Sequence, residues 1–156
     1  MRKDRKKHSP SSCDRQAARG GEPSLRHRRM RLHRHRPDFT WTGVKTERYK
    51  DADGTWSSVL RRTLIGGKAE RTAFHVRYFE VAPGGHTTLE QHRHEHVVLC
   101  MRGRGECVVG RRKHGLSPLD VLYVPPFAAH QLRNPHGEPF GFLCIVDAER
   151  DRPRPL

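Results

Sequence analysis

From Phe39 onward the chain offers no helical period: its apolar residues come in short runs, and each run is cut off by turn chemistry. Residues 57–65, 74–81, 97–101, 106–109, 121–124, 131–133 and 140–146 are rich in Val, Ile, Leu, Phe and Tyr, which suit a pleated, half-buried surface. Between them stand DADG, IGGK, APGG, RGRG, GRRKHG, PPF and NPHGEP, with glycine where a turn needs a positive φ. Many short strands at near-regular intervals predict an all-β fold, an antiparallel sandwich or small barrel. No repeat or further boundary interrupts the pattern, so residues 39–147 are expected to form one domain.

Ahead of that domain, residues 1–36 hold 13 Lys and Arg against Asp4, Asp14 and Glu22, which supplies +10 of the chain's +14. Leu25, Met30 and Leu32 are nearly its only apolar side chains, too few to offset the entropy of ordering, so a disordered basic tail is expected. Such a tail can neutralise phosphates, but without interleaved aromatics or a reading motif it is not expected to bind nucleic acid specifically. Met30 is an alternative start that would remove most of it. No apolar run follows the basic cluster and no stretch approaches the roughly 20 apolar residues of a membrane span. A mitochondrial transit peptide shares this composition, and the cytoplasm is the default. Residues 148–156, ending RDRPRPL, read as a solvated C-terminal tail.

Four cysteines, Cys13, Cys100, Cys107 and Cys144, show no C-x-x-C pairing, and the last three fall in strand-like runs. They read as small buried hydrophobes of a reduced compartment, with a Cys100–Cys107 hairpin bridge as the alternative.

Two blocks carry the chemistry. LEQHRHEHVVLC, residues 89–100, places three histidines between an APGG turn and an apolar strand. LDVLYVPPFAAHQLRN, residues 119–134, runs a strand into Pro125-Pro126, reaches His130 and continues to Asn134. Spacing alone decides little, because His33-Arg34-His35 repeats the H-x-H pattern inside a run of arginines.

Together the two blocks resemble the cupin superfamily, whose first motif is G-x5-H-x-H-x3,4-E-x6-G and whose second is G-x5-P-x-G-x2-H-x3-N. Taking His92 and His94 as the H-x-H pair puts Val98, which has no ligand atom, at the acidic position. Taking Glu90 and His92 instead meets every spacing, with Gly84 before, His96 at the acidic position and Gly103 after. In the second block Pro125, His130 and Asn134 match, while Leu119 and Phe127 occupy the two glycine positions.

The resemblance implies a cupin double-stranded β-helix, a jelly-roll barrel, binding a divalent transition metal (Fe, Mn, Ni, Co, Cu or Zn) through Glu90, His92, His96 and His130. Three imidazoles and one carboxylate suit such an ion and leave coordination positions open for a small molecule. Glu90 is also a candidate base. His94 is expected to support the site or to substitute as a ligand, and Phe127 to narrow the cavity mouth. Arg77, Tyr78 and Glu80 lie on a strand with one parity facing the cavity. His75, His86, His114 and His136 read as ordinary strand-end side chains. An oxygenase-like enzyme acting on a small organic molecule is the leading expectation, with a metal-dependent isomerase or a non-catalytic sensor as alternatives. By the same resemblance a homodimer is expected.

Overall fold

The computed structural model describes residues 30–49, 57–67 and 70–156. The expectations for the tail before Met30, its disorder and its nucleic-acid contacts, lie outside them. Leu32–Leu156 stands apart as one compact unit, the second of the chain.

The second unit is built from eleven strands and, among the described residues, no helix. They are β1 (Glu47–Arg48), β2 (Ser57–Ile65), β3 (Phe74–His86), β4 (Glu90–Gln91), β5 (His96–Arg102), β6 (Gly105–Val109), β7 (Arg112–Leu116), β8 (Val121–Val124), β9 (His130–Arg133), β10 (Phe140–Asp147) and β11 (Arg154–Pro155). Every pairing is antiparallel, and the strands join into one curled sheet running β11-β4-β9-β3-β10-β5-β8, with β2 on β3 and the β6–β7 hairpin on β9. No helix among the described residues is long and apolar enough to cross a membrane.

Alternation places the site. β5 buries His96, Val98 and Cys100 on one face, and β9 buries His130 and Leu132. The period that sends apolar side chains into the core therefore sends His96 and His130 inward at the strand starts. Behind them Phe79, Phe142 and Phe140 pack ring against ring at 5.2–5.6 Å, each worth roughly 1.5–3 kcal/mol on burial. Val98, the acidic position of the competing register, lies wholly inside this apolar core.

Asn134 is almost fully buried and ties the turn that closes the barrel. Its amide donates to the Val81 and Glu138 carbonyls at 2.9 and 2.7 Å, and its backbone exchanges bonds with Gly84 and Gly85.

Several expected boundaries shift. GRRKHG is not all turn: only Gly110 and Arg111 turn, and Arg112 to Leu116 form β7, an edge strand whose exposed charges discourage further pairing. The 74–81 strand runs on through APGG to His86. Packing begins before Phe39, since His35 bridges to Trp41 and both Phe39 and Trp41 lie against the Tyr78 ring. The C-terminal residues are mostly exposed, as expected, yet they are tied down: β11 pairs with β4, Pro155 opposite Glu90.

Candidate metal centre

A cavity of about 370 Å³ opens into the barrel, and Glu90, His92, His94, His96 and His130 all line it. His92, His96 and His130 are buried, and one nitrogen from each lies within 4.8 Å of the others. Glu90 is half-buried and sits directly across the β4–β9 pairing from His130, outside that close cluster.

Their hydrogen bonds orient the rings. His92 donates Nδ1–H to the His94 carbonyl at 2.7 Å, and His130 donates Nδ1–H to the Ala128 carbonyl at 2.9 Å. Because a carbonyl only accepts, both rings carry their proton on Nδ1 and keep the Nε2 lone pair free. The His130 Nε2 lies 3.2 Å from the His96 Nε2. Burial, the largest cause, holds His92 down to about 4 and His96 down to about 2, with the neighbouring imidazoles adding to it. Near neutral pH these two imidazoles are uncharged and able to ligate. A set of converging nitrogen donors with backbone-anchored far sides fits a borderline transition-metal ion.

His94 stands behind this cluster. Its ring stacks on His92 with centroids 3.6 Å apart and planes 6° from parallel. Asp151 holds it, the carboxylate lying 2.8 Å from His94 Nδ1 while accepting the backbone N–H groups of Arg93 and His94. Those bonds, the Arg93 N–H first, keep the Asp151 carboxyl well below its ordinary range. Sequence alone does not single out Asp151, because the RDRPRPL ending looks like any polar tail.

One expectation is corrected. Phe127 does not narrow the cavity: its side chain is 63% exposed, and its contribution is a backbone N–H donated to the His92 carbonyl at 2.7 Å. Its φ of 62° and that of Leu119, 76°, show that both keep the left-handed backbone glycine would supply there, which turns the Phe127 ring outward. Of the β3 candidates only Arg77 faces the cavity. Tyr78 points the other way, wholly buried against Phe39 and Trp41, and Glu80 pairs there with Arg102 at 2.8 Å.

Cys144 is buried in the core, as expected, and it also borders the cavity. The sulfur accepts from Arg77 Nη2 at 3.2 Å and lies 3.3 Å from His96 Nδ1. Burial pushes the thiol up, and the Arg77 charge opposes that shift. Cys100, Cys107 and Cys144 are all free thiols, so no Cys100–Cys107 bridge forms.

Comparison with known proteins decides the family. Residues 77–146 match the model of the cupin domain, and a relative from Rhodospirillum rubrum is 43% identical over 117 residues, 74% of each chain. The chain is a cupin. That relative is named 1-methylthio-D-xylulose 5-phosphate methylsulfurylase. Among solved structures this cupin resembles a cupin-2 domain protein of Rhodospirillum rubrum, 42% identical with a TM-score of 0.70 over 76% of this chain and 78% of that one. It also resembles a cupin 2 conserved barrel protein of Rhodopseudomonas palustris, 38% identical with a TM-score of 0.74 over 80% and 85%. The cupin fold, expected from the motifs, is thus shown, and with it a three-histidine cluster able to hold a metal ion.

Proposed function

We propose that this cupin is a metal-dependent enzyme that removes a methylsulfanyl group from a small ketose, with His92, His96 and His130 as metal ligands and Glu90 as the carboxylate completing the set. One observation carries the reading: a cysteine sulfur lies against a ligand histidine inside the same cavity. A methylsulfuryl group leaving the carbon beside a ketone needs a sulfur nucleophile and a sink for the electron pair left on carbon. The metal, when bound, supplies Lewis-acid polarisation of the carbonyl. With His96 Nε2 committed as a ligand, its Nδ1 carries the proton and donates to Cys144, as Arg77 does, so two donors favour the thiolate.

The thiolate attacks the methylsulfanyl sulfur, the carbon–sulfur bond breaks, and its electron pair passes into the carbonyl as an enolate. Carbon then takes a proton from solvent, which balances the one Cys144 releases on becoming the thiolate; Glu90, in the cavity wall, relays it only when it is off the metal. Cys144 is left as a methyl disulfide, and a small-molecule thiol must reduce it to restore the enzyme. The isomerase alternative shares the enolate but leaves Cys144 unused. The oxygenase expectation rests on open coordination alone. Three buried free thiols support a reducing cytoplasmic setting. The homodimer expectation has support in β8, an end strand of the sheet with Val121 and Tyr123 exposed.

The test is turnover of 1-methylthio-D-xylulose 5-phosphate with a thiol reductant, beside elemental mass spectrometry of wild type, His92→Ala, His130→Ala and Cys144→Ala. Metal near one equivalent that is lost in both histidine variants, with Cys144→Ala retaining metal but losing turnover at least a thousandfold, is the expected result. Full turnover in Cys144→Ala sinks the transfer step. Tight ligand binding without turnover in wild type favours the sensor.

A further inference from the structure

Three arginines, Arg77, Arg150 and Arg152, line the cavity, and two of them face the same histidine. Arg77 comes from β3 and Arg150 from the segment after β10, and both line the cavity beside His75. Among the described residues neither makes an ion pair with a carboxylate. Arg77 gives one N–H to the Cys144 sulfur and lays its plane over the Phe79 ring at 5.2 Å, and its Nε–H is buried with no acceptor. Arg150 donates to the Asp147 backbone carbonyl at 3.1 Å. Of the nearby carboxylates, Asp151 is engaged on Arg93 and His94 and Asp147 on the Glu149 N–H, while Glu90 lines the same cavity.

His75 sharpens the point. The Gly67 N–H meets its Nε2 at 3.1 Å and the Arg150 Nη1 meets its Nδ1 at 3.1 Å. A neutral imidazole has one acceptor nitrogen, so it can serve only one of these two donors and the other is in surplus. The ring is kept neutral by burial first and then by the charges of Arg150 and Arg77. Burial, and then the charge of Arg77, also holds Arg150 below its ordinary range. Gly66 makes room for the ring where it lies, since a Cβ there would stand 2.1 Å from the imidazole. An anionic oxygen between Arg150 and His75 would accept from both, leave Nε2 to the Gly67 N–H, and set a negative charge beside the two arginines.

We propose that Arg150, His75 and Arg77 form an oxyanion subsite that holds the phosphate group of a phosphorylated substrate in this cavity. Naming a sugar phosphate as the occupant rests on the methylsulfanyl-ketose reading, whereas the anion site itself stands on the donors alone.

The test titrates the full chain calorimetrically, at constant ionic strength, with inorganic phosphate, D-xylulose 5-phosphate and D-xylulose, against Arg150→Gln and Arg150→Lys. Inorganic phosphate should bind, D-xylulose 5-phosphate should bind at least tenfold tighter than D-xylulose, and Arg150→Gln should erase that preference while metal content stays unchanged. Arg150→Lys, keeping the charge and losing the fork, should fall between them and serves if the glutamine variant does not fold. Equal affinity for the two sugars in wild type, or a preference that survives in Arg150→Gln, overturns the subsite. Phosphate binding that weakens in Arg150→Gln, with D-xylulose 5-phosphate no tighter than phosphate alone, supports the subsite and removes the ketose.

Discussion

At Leu119 and Phe127 the backbone turns through φ values of 76° and 62° in a region costly for any residue but glycine. Gly84 and Gly103, the two glycines of the first cupin motif, adopt 72° and 62°. All four motif positions thus keep the left-handed turn, and at two of them the chain carries side chains that gain nothing in return, exposed at 77% and 63%. Leu119→Gly and Phe127→Gly should each raise stability by a few tenths to about 1 kcal/mol, relief of strain exceeding the added entropy of the unfolded chain. Gly84→Ala, where a Cβ would meet nothing within 4 Å, isolates the opposite cost and should destabilise by about 1 kcal/mol. Urea midpoints at constant slope measure all three, and a destabilised Phe127→Gly would mean its ring packs after all. At this scale spacing is enough to place His92, His96 and His130 together, because each motif position has a fixed parity on its strand. It does not place Cys144, since buried cysteines fill cores more often than cavities, and only the β3–β10 pairing that sets it opposite Arg77 separates the two.

Among elements, the C-terminal segment changes most between sequence and structure. Nothing in RDRPRPL singles out Asp151, because its partners lie 57 and 58 residues earlier and its bonds are to backbone N–H groups and one ring. Once β11 pairs with β4, Asp151 is held under the turn that carries His92 and His94. Asp151 touches no reacting atom, so it acts by positioning: it fixes His94, and the His94 carbonyl and ring fix His92. Asp151→Asn should therefore lower metal affinity roughly tenfold, and removal of residues 151–156 about a hundredfold, the range seen when groups behind a metal ligand are lost. Competition with a chromophoric chelator reads both, and unchanged affinity in the truncated chain would make the segment a cover only. The β7 edge strand is hidden in the sequence for a related reason: Arg112, Lys113 and His114 are all exposed, so no apolar alternation marks the strand.

For the whole molecule, the strand and turn rhythm is legible because each run has to bury one face in a common core, whereas the closure of the barrel depends on pairings no local pattern encodes. Closure also sets how stability answers to pH. His75, His92 and His96 are all held below the usual histidine value, burial first in each case, His92 to about 4 and His96 to about 2. A folded value below the unfolded one means that the unfolded chain binds more protons, so stability rises with pH through that interval. The metal-free protein should therefore be most stable above the unfolded value of about 6.5 and weaken steadily as pH falls toward 4. Asp38 and Asp151, both lowered from the ordinary carboxylate value, lose their contribution only below about 4 and leave this window to the imidazoles. His96→Asn, neutral throughout, should flatten the profile by close to one proton, about 1.4 kcal/mol per pH unit where the unfolded histidine is fully charged. Urea unfolding of the metal-free chain from pH 7 to 4.5 measures this, and an unchanged slope in His96→Asn would show that burial does not hold that ring neutral. Metal added at pH 7 meets His92 and His96 already uncharged, and the stability it adds depends on the folded rings rather than on the unfolded chain, so this increment should begin to fall at the latest near pH 4, where His92 charges.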